Sequence, residues 1–291
     1  MNIRTILILL IPLVGSIYGA FIAYHNEISV MAFSSNIIAV VLGIPLALLL
    51  GSMQVQFQRH LIILSLLVLG LMAASLLSLD IAGIHRWIAI GPTYINISMV
   101  LTPLILYVIS TSLDRYKFLS VILAIGVSVI HILQPDAGQA TALGCAAIVI
   151  FLLTSGVPFE IRLTGIISIG VGICLAWRQP DSLLAVEHVE HILHLTARIG
   201  SLGVAGIALS IISLLTPILF TLKYQKVSSH NGVLAIAFIV YLVAAFCVTE
   251  LGNYPVPIIG AGASSILGYY AIIGFAVVPY TFKTAQERRE R

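Results

Sequence analysis

Ten separate runs of apolar residues divide this chain, each near the length that a helix needs to cross about 30 Å of hydrocarbon. They cover 5–24, 34–53, 61–79, 97–113, 118–133, 139–155, 161–177, 199–222, 233–251 and 264–282. The fifth, sixth and seventh are short. Composition agrees: 60% of the 291 residues are hydrophobic, 9% are charged and the mean hydropathy is +1.12. A water-soluble core of this size cannot hide that much apolar surface. This excludes a soluble enzyme, a disordered chain and a disulfide-stapled domain. A transmembrane barrel would show ten-residue alternating segments instead of unbroken runs. The prediction is an all-α polytopic bundle of about ten transmembrane helices, a single membrane domain over 1–291. The first run also has the outline of a signal peptide, with Arg4 before it and small residues at Gly19 and Ala20. Cys145, Cys174 and Cys247 all fall inside apolar runs and read as small hydrophobes.

Basic residues give the runs a sidedness. With ten spans, both termini and every second loop share a side. That side carries Arg4, Arg59, Arg115, Lys117, Arg162, Lys223, Lys226, Lys283, Arg288, Arg289 and Arg291, eleven of the fourteen basic residues. The other side carries Arg86, Arg178 and Arg198, together with Trp87 and Trp177. Both termini are therefore expected in the cytoplasm. The inner loops are too short for a nucleotide-binding domain and hold no glycine-rich phosphate loop. Neither nucleotide nor nucleic acid is an expected partner.

Two larger outer loops, 80–96 and 178–198, and two smaller outer segments hold most of the polar chemistry. In the first loop Arg86 precedes Trp87, so a planar guanidinium able to grip phosphate sits beside an interfacial ring. Gly91-Pro92 then turns the chain back. Between the fifth and sixth spans stands Gln134-Pro135-Asp136-Ala137-Gly138-Gln139-Ala140. Asp136 is a carboxylate near membrane depth and also a candidate helix cap. Before the last span, Pro255, Pro257 and several small residues lead to Ser264 and Ser265, expected to cap that helix and to present its N–H groups outward. The second large loop holds Asp181, Glu187, His188, Glu190, His191 and His194. As a helix it would gather Glu187, Glu190, His191 and His194 on one face. A carboxylate there is a candidate general base. Glu190, His191 and His194 form a candidate set for a divalent metal, and a solvated loop face is the plain reading. Glu250, near the outer end of the ninth span, is a further candidate.

In this order the segments resemble the SEDS family (shape, elongation, division and sporulation) of cell-wall glycan polymerases. Arg86-Trp87-Ile88 with Gly91-Pro92 is similar to that family's Arg-Trp-Ile-x-Leu-Gly-Pro. Gln134-Pro135-Asp136-Ala137-Gly138 with Ala140 resembles Gln-Pro-Asp-x-Gly-Thr-Ala. Pro255 and Pro257, then Gly262 and Ser264-Ser265, resemble Pro-Leu-Pro-Phe…Gly-Gly-Ser-Ser. Ile199-Gly200-Ser201 with Gly203 resembles Ile-Gly-Ser-Gly-Gly. The resemblance implies a bacterial inner-membrane protein that polymerises lipid-linked disaccharide-peptide (lipid II) at the outer leaflet, in cell division or cell-shape control. A single-span penicillin-binding transpeptidase is the implied partner. Asp181 or Glu187 would deprotonate the acceptor hydroxyl. Arg86 and Arg198, with a divalent cation such as Mg or Mn, would assist the departing pyrophosphate-lipid. Trp87, Gln134, Asp136, Ser264 and Ser265 would bind substrate. Two patterns depart from the family. Its Ser-Glu-x-x-Lys stands here as Ser98-Met99-Val100-Leu101-Thr102, and its loop motif Asp-Pro-x-Gly-x-Gly-Tyr-Gln is not recognisable. A non-catalytic relative that binds lipid-linked sugar or scaffolds a wall-building complex is the alternative. A flippase or secondary transporter using His131 and Asp136 is a further one.

Overall fold

A computed structural model describes residues 3–78, 81–91 and 93–279. Asp80, Pro92, the end of the tenth predicted span and the basic residues from Lys283 onward lie outside the described residues. The long helices are α1 (Ile3–His25), α2 (Ser34–Ser52), α4 (Leu61–Ser75), α5 (Ile97–Arg115), α6 (Lys117–Leu133), α7 (Ala137–Leu153), α8 (Phe159–Ala176), α10 (Ser201–Leu222), α11 (His230–Val248) and α12 (Ala263–Ala276); α3 (Gln54–Arg59) and α9 (Ile192–Leu195) are short. Six of the long ones meet the length and hydropathy needed for a membrane span, and the other four are shorter and equally apolar. All ten fall on the ten predicted runs, and the protein is a multi-pass, all-helical membrane protein. A small antiparallel hairpin, β1 (Trp87–Ile90) and β2 (Thr93–Asn96), interrupts the first large loop and pairs Trp87 with Asn96.

The chain folds as two compact units. One contains the described residues up to Gln54, Ala185–Tyr224 and the described residues from Pro255 on. Its tightest packing is α12 against α2, with α1 beside α10. Gly43 makes the α2–α12 approach possible: a Cβ there would lie 2.0 Å from the ring of Tyr270. Tyr270 in turn donates to the Leu9 carbonyl of α1 at 2.6 Å, and Tyr269 to the Leu214 carbonyl of α10 at 2.8 Å. Buried hydroxyls thus find backbone oxygens in a medium that offers no water.

The other unit contains Val55–Leu184 and Gln225–Tyr254. Here α5 is the central helix: 72% of its apolar window is buried, against 22% for α8. Around it α7 packs on α11 and α8, and α6 packs on α8 and α5. The exposed Leu, Ile and Val side chains of α8, among them Leu163, Ile167 and Val171, form a face suited to lipid tails.

Candidate functional site

The second unit carries a buried polar cluster where the hairpin meets the α6–α7 turn. The end of that turn is fixed by Asp136. Its Oδ1 accepts the Gln139 amide at 3.2 Å, which makes it the N-cap of α7, and its Oδ2 accepts from Asn96 Nδ2 at 3.1 Å. Asn96 itself caps α5 by accepting the Met99 amide at 3.1 Å. The two caps are therefore locked to each other, and so are the helices they begin.

Arg86 enters this cluster from the residue before β1. It is 5% exposed. Its guanidinium donates to Asp181 Oδ2 at 2.7 Å and to the Pro135 carbonyl, and its Nε lies 4.0 Å from Asp136 Oδ1. That Nε has no hydrogen-bond partner among the described residues. Asp181 is held from a second side, since its Oδ1 accepts the Leu183 amide at 3.2 Å. One buried cation thus serves two carboxylates, one buried and one partly open (side-chain exposure 3% and 27%). These three side chains together carry a formal charge of about −1 at neutral pH.

Beside them opens a cavity of about 150 Å³, walled by Arg86, Gly138, Trp177, Gln179, Asp181 and Tyr254 among others. Trp177 is oriented by its indole N–H, which donates to Thr141 at 2.9 Å. Gly138 is required by the close approach of Tyr254, whose ring would lie 2.5 Å from a Cβ at that position. Behind the wall a chain of neutral groups runs inward. Tyr254 donates to Gln139 Oε1 at 2.6 Å, and Gln139 Nε2 donates to Thr102 Oγ1 at 2.5 Å. Gln134 accepts from Ser98 at 3.0 Å and donates to Ser75 at 2.6 Å. His131 is 1% exposed on α6, and the Asp136 amide donates to its carbonyl at 3.0 Å.

The structure gathers Arg86, Trp87, Gln134, Asp136 and Asp181 in this one unit. Trp87 lies beside the cluster, with the Arg86 guanidinium carbon 5.9 Å from the centre of its ring. Sequence reasoning missed Asn96, Gln139 and Tyr254 as members, and it met Ser98 and Thr102 only in the run where the family's Glu and Lys are lost.

Glu187, Glu190, His191, His194, Arg198, Ser264 and Ser265 belong to the other unit. The predicted helical face through Glu187, Glu190, His191 and His194 does not form, because only Ile192–Leu195 is helical. The backbone just before it pairs elsewhere instead: Val256 donates to the Val189 carbonyl at 3.0 Å and Ala261 to the His188 carbonyl at 2.9 Å. Glu190 Oε2 accepts the Val186 amide at 2.7 Å, and the rings of His191 and His194 stack 5.3 Å apart. No group of three or more His, Cys, Asp or Glu arranged for a metal occurs among the described residues. Arg198 ends a short 3-10 turn and is exposed, and Glu187 is likewise exposed. Ser264 and Ser265 are not the cap of α12. The N-cap is Gly262, at φ 147°, whose amide donates to Asn36 Oδ1 at 2.7 Å; Ser265 Oγ accepts the Ile258 amide at 3.1 Å. Burial pushes the His188 imidazole below its ordinary range, and Glu187 opposes part of that shift.

No protein-family model matches the sequence, and no curated protein matches it closely enough to count as a relative. Solved structures do resemble the fold. The rod shape determining protein RodA of Thermus thermophilus superposes with a TM-score of 0.70 over 94% of this chain and 95% of that one, at 19% identity. A RodA variant with one aspartate replaced by alanine gives the same score at 20% identity, over 96% and 97% of the two chains. A chain from a peptidoglycan synthase complex, described as coordinating polymerization and crosslinking, gives 0.66 at 17% identity, over 96% and 97%. The structural likeness extends over nearly the whole backbone, and the fold of this chain is the RodA fold.

Proposed function

We propose that this chain is a divergent SEDS protein of the bacterial inner membrane that transfers glycan from an undecaprenyl-linked donor, lipid II or a close analogue, at the outer leaflet. The observation that carries the reading is the Arg86–Asp181 pair at the cavity wall, backed by Asp136. A pyrophosphate arriving in the cavity competes with Asp181 for Arg86, and the buried Arg86 Nε offers it a further donor. Displaced from the guanidinium, the partly open Asp181 is available to take the proton of the acceptor hydroxyl. Substrate arrival and base release are coupled in this scheme. Asp136 remains on Asn96 and the α7 cap, and positions Arg86. Trp177 and Tyr254 wall the cavity, Gln134 belongs to its backing, and Trp87 lies beside Arg86.

The cluster's formal charge argues for added positive charge when a pyrophosphate binds. Mg or Mn would supply it, held chiefly by the substrate's own phosphates, because Asp136 stays on Asn96 and the α7 cap and Asp181 serves as the base. Arg198, Glu187, Ser264 and Ser265 remain candidates on the other unit, with Glu187 the rival general base. A single-span transpeptidase is the proposed partner, in cell division or cell-shape control.

Purified protein, alone and with a co-purified transpeptidase, is assayed for polymerisation of lipid II. Glycan strands from wild type that vanish in Asp181→Ala and persist in Glu187→Ala support the reading. Turnover lost in Glu187→Ala and kept in Asp181→Ala moves the base to the other unit. Lipid II binding without any product identifies a non-catalytic relative, which the loss of the family's Glu/Lys pair and loop motif would then explain.

A further inference from the structure

Where α5 passes into α6, Asp114, Arg115, Tyr116 and Lys117 edge an open groove of about 570 Å³. Its wall is apolar and outward-facing: Ile62 of α4 and Phe118 and Ile122 of α6 are 53%, 74% and 60% exposed. On its other face α6 is packed, with Ser120, Val121 and Ala124 buried. Neither Arg115 nor Lys117 has a carboxylate partner among the described residues. The groove thus joins two unneutralised cations and a tyrosine, at the end of two spans, to a greasy strip that runs from there along the helices.

We propose that this groove is a binding site for one anionic glycerophospholipid, with the phosphate between Arg115 and Lys117 and the acyl chains along Ile62, Phe118 and Ile122. Two cations against the one carboxylate of Asp114 leave an excess of positive charge. A zwitterionic lipid would bring its own ammonium to that edge and lose the advantage, whereas an anionic headgroup keeps it. The position at the span ends is headgroup depth, where tyrosine is favoured. A free phosphate would use the cations and leave the strip uncovered. A partner helix would cover the strip without needing the cations. Only a lipid with a negative head uses both halves. The site lies apart in sequence from the Arg86 cluster and does not depend on the proposed reaction.

The test is native mass spectrometry of the purified full chain released from detergent with phosphatidylglycerol or phosphatidylcholine. Wild type is expected to retain phosphatidylglycerol about fivefold better than phosphatidylcholine, and Arg115→Gln with Lys117→Gln to abolish that preference. Asp114→Asn is expected to raise phosphatidylglycerol retention, a gain that a misfolded protein does not give. Equal retention of the two lipids by wild type overturns the proposal. So does an unchanged preference in the double variant, or displacement of phosphatidylglycerol by glycerol 3-phosphate as effective as by the lipid itself.

Discussion

Arg86 is the residue on which the candidate site turns. It is buried beside one buried carboxylate and one partly open one, so its removal leaves Asp136 without a counter-ion. Breaking a buried pair in this way costs about 3–5 kcal/mol. Arg86→Ala is therefore expected to lower the melting temperature sharply and to abolish transfer. Asp181 is more open and is also held by the Leu183 amide, so replacing it costs less than breaking the buried Asp136 pair. Asp181→Asn should melt within a few degrees of wild type while losing about 10²-fold or more in transfer, the scale of a general base. Thermal unfolding in detergent, followed by lipid II turnover on the same preparations, separates the two effects. His188 gives a pH-dependent signature. Burial depresses its folded-state pKa, so the unfolded chain binds the proton more readily. The stability it contributes is present above the unfolded value near 6.5 and is lost as pH falls below it. The melting temperature should fall between pH 7.5 and pH 5.5, and His188→Gln should flatten that slope.

At the scale of elements, the long helices were legible because each apolar run sets its own length. The observed bounds lie within a few residues of the predicted ones, as for Ser201–Leu222 against 199–222. What escaped were features fixed by neighbours. The hairpin at 87–96 is too short for periodicity to declare, and it is tied down by Ser75, which donates to the His85 carbonyl at 3.0 Å, and by Ser78, which donates to that of Trp87. The turn around Glu187 and Glu190 gave up its helix because Val256 and Ala261 claim the carbonyls of Val189 and His188. The residue that caps α12, Gly262, is held by Asn36 of α2, far away in sequence. Among the site residues, Arg86, Asp136 and Asp181 could be picked out because charges are rare in such a chain. Neutral partners such as Gln139 and Tyr254 look like ordinary polar residues until the fold stacks them. Helix packing is testable at Gly43. A Cβ there meets the Tyr270 ring, so Gly43→Ala forces α2 from α12 and is expected to cost about 1–3 kcal/mol, read as a lowered melting temperature. Pairing it with Tyr270→Leu should recover part of the loss.

At the scale of the whole molecule, the basic residues predict the sidedness on which the outer-leaflet reading rests. With Cys145, Cys174 and Cys247 replaced by alanine, a membrane-impermeant maleimide applied to spheroplasts should label Ala185→Cys at once. Ser228→Cys should react only after lysis. The reverse pattern would place the Arg86 cluster on the cytoplasmic side and remove a lipid II polymerase from consideration.

The central claim is that a lipid-linked pyrophosphate glycan reaches the cavity walled by Arg86, Asp181 and Trp177. The most direct measurement is photo-crosslinking from a benzophenone amino acid at Gln179, on the cavity wall, with radiolabelled lipid II. The expected result is a labelled adduct, competed away by unlabelled lipid II and much weaker from the same probe at lipid-facing Phe159. Labelling from Gln179 no stronger than from Phe159, or indifferent to competitor, would contradict the account.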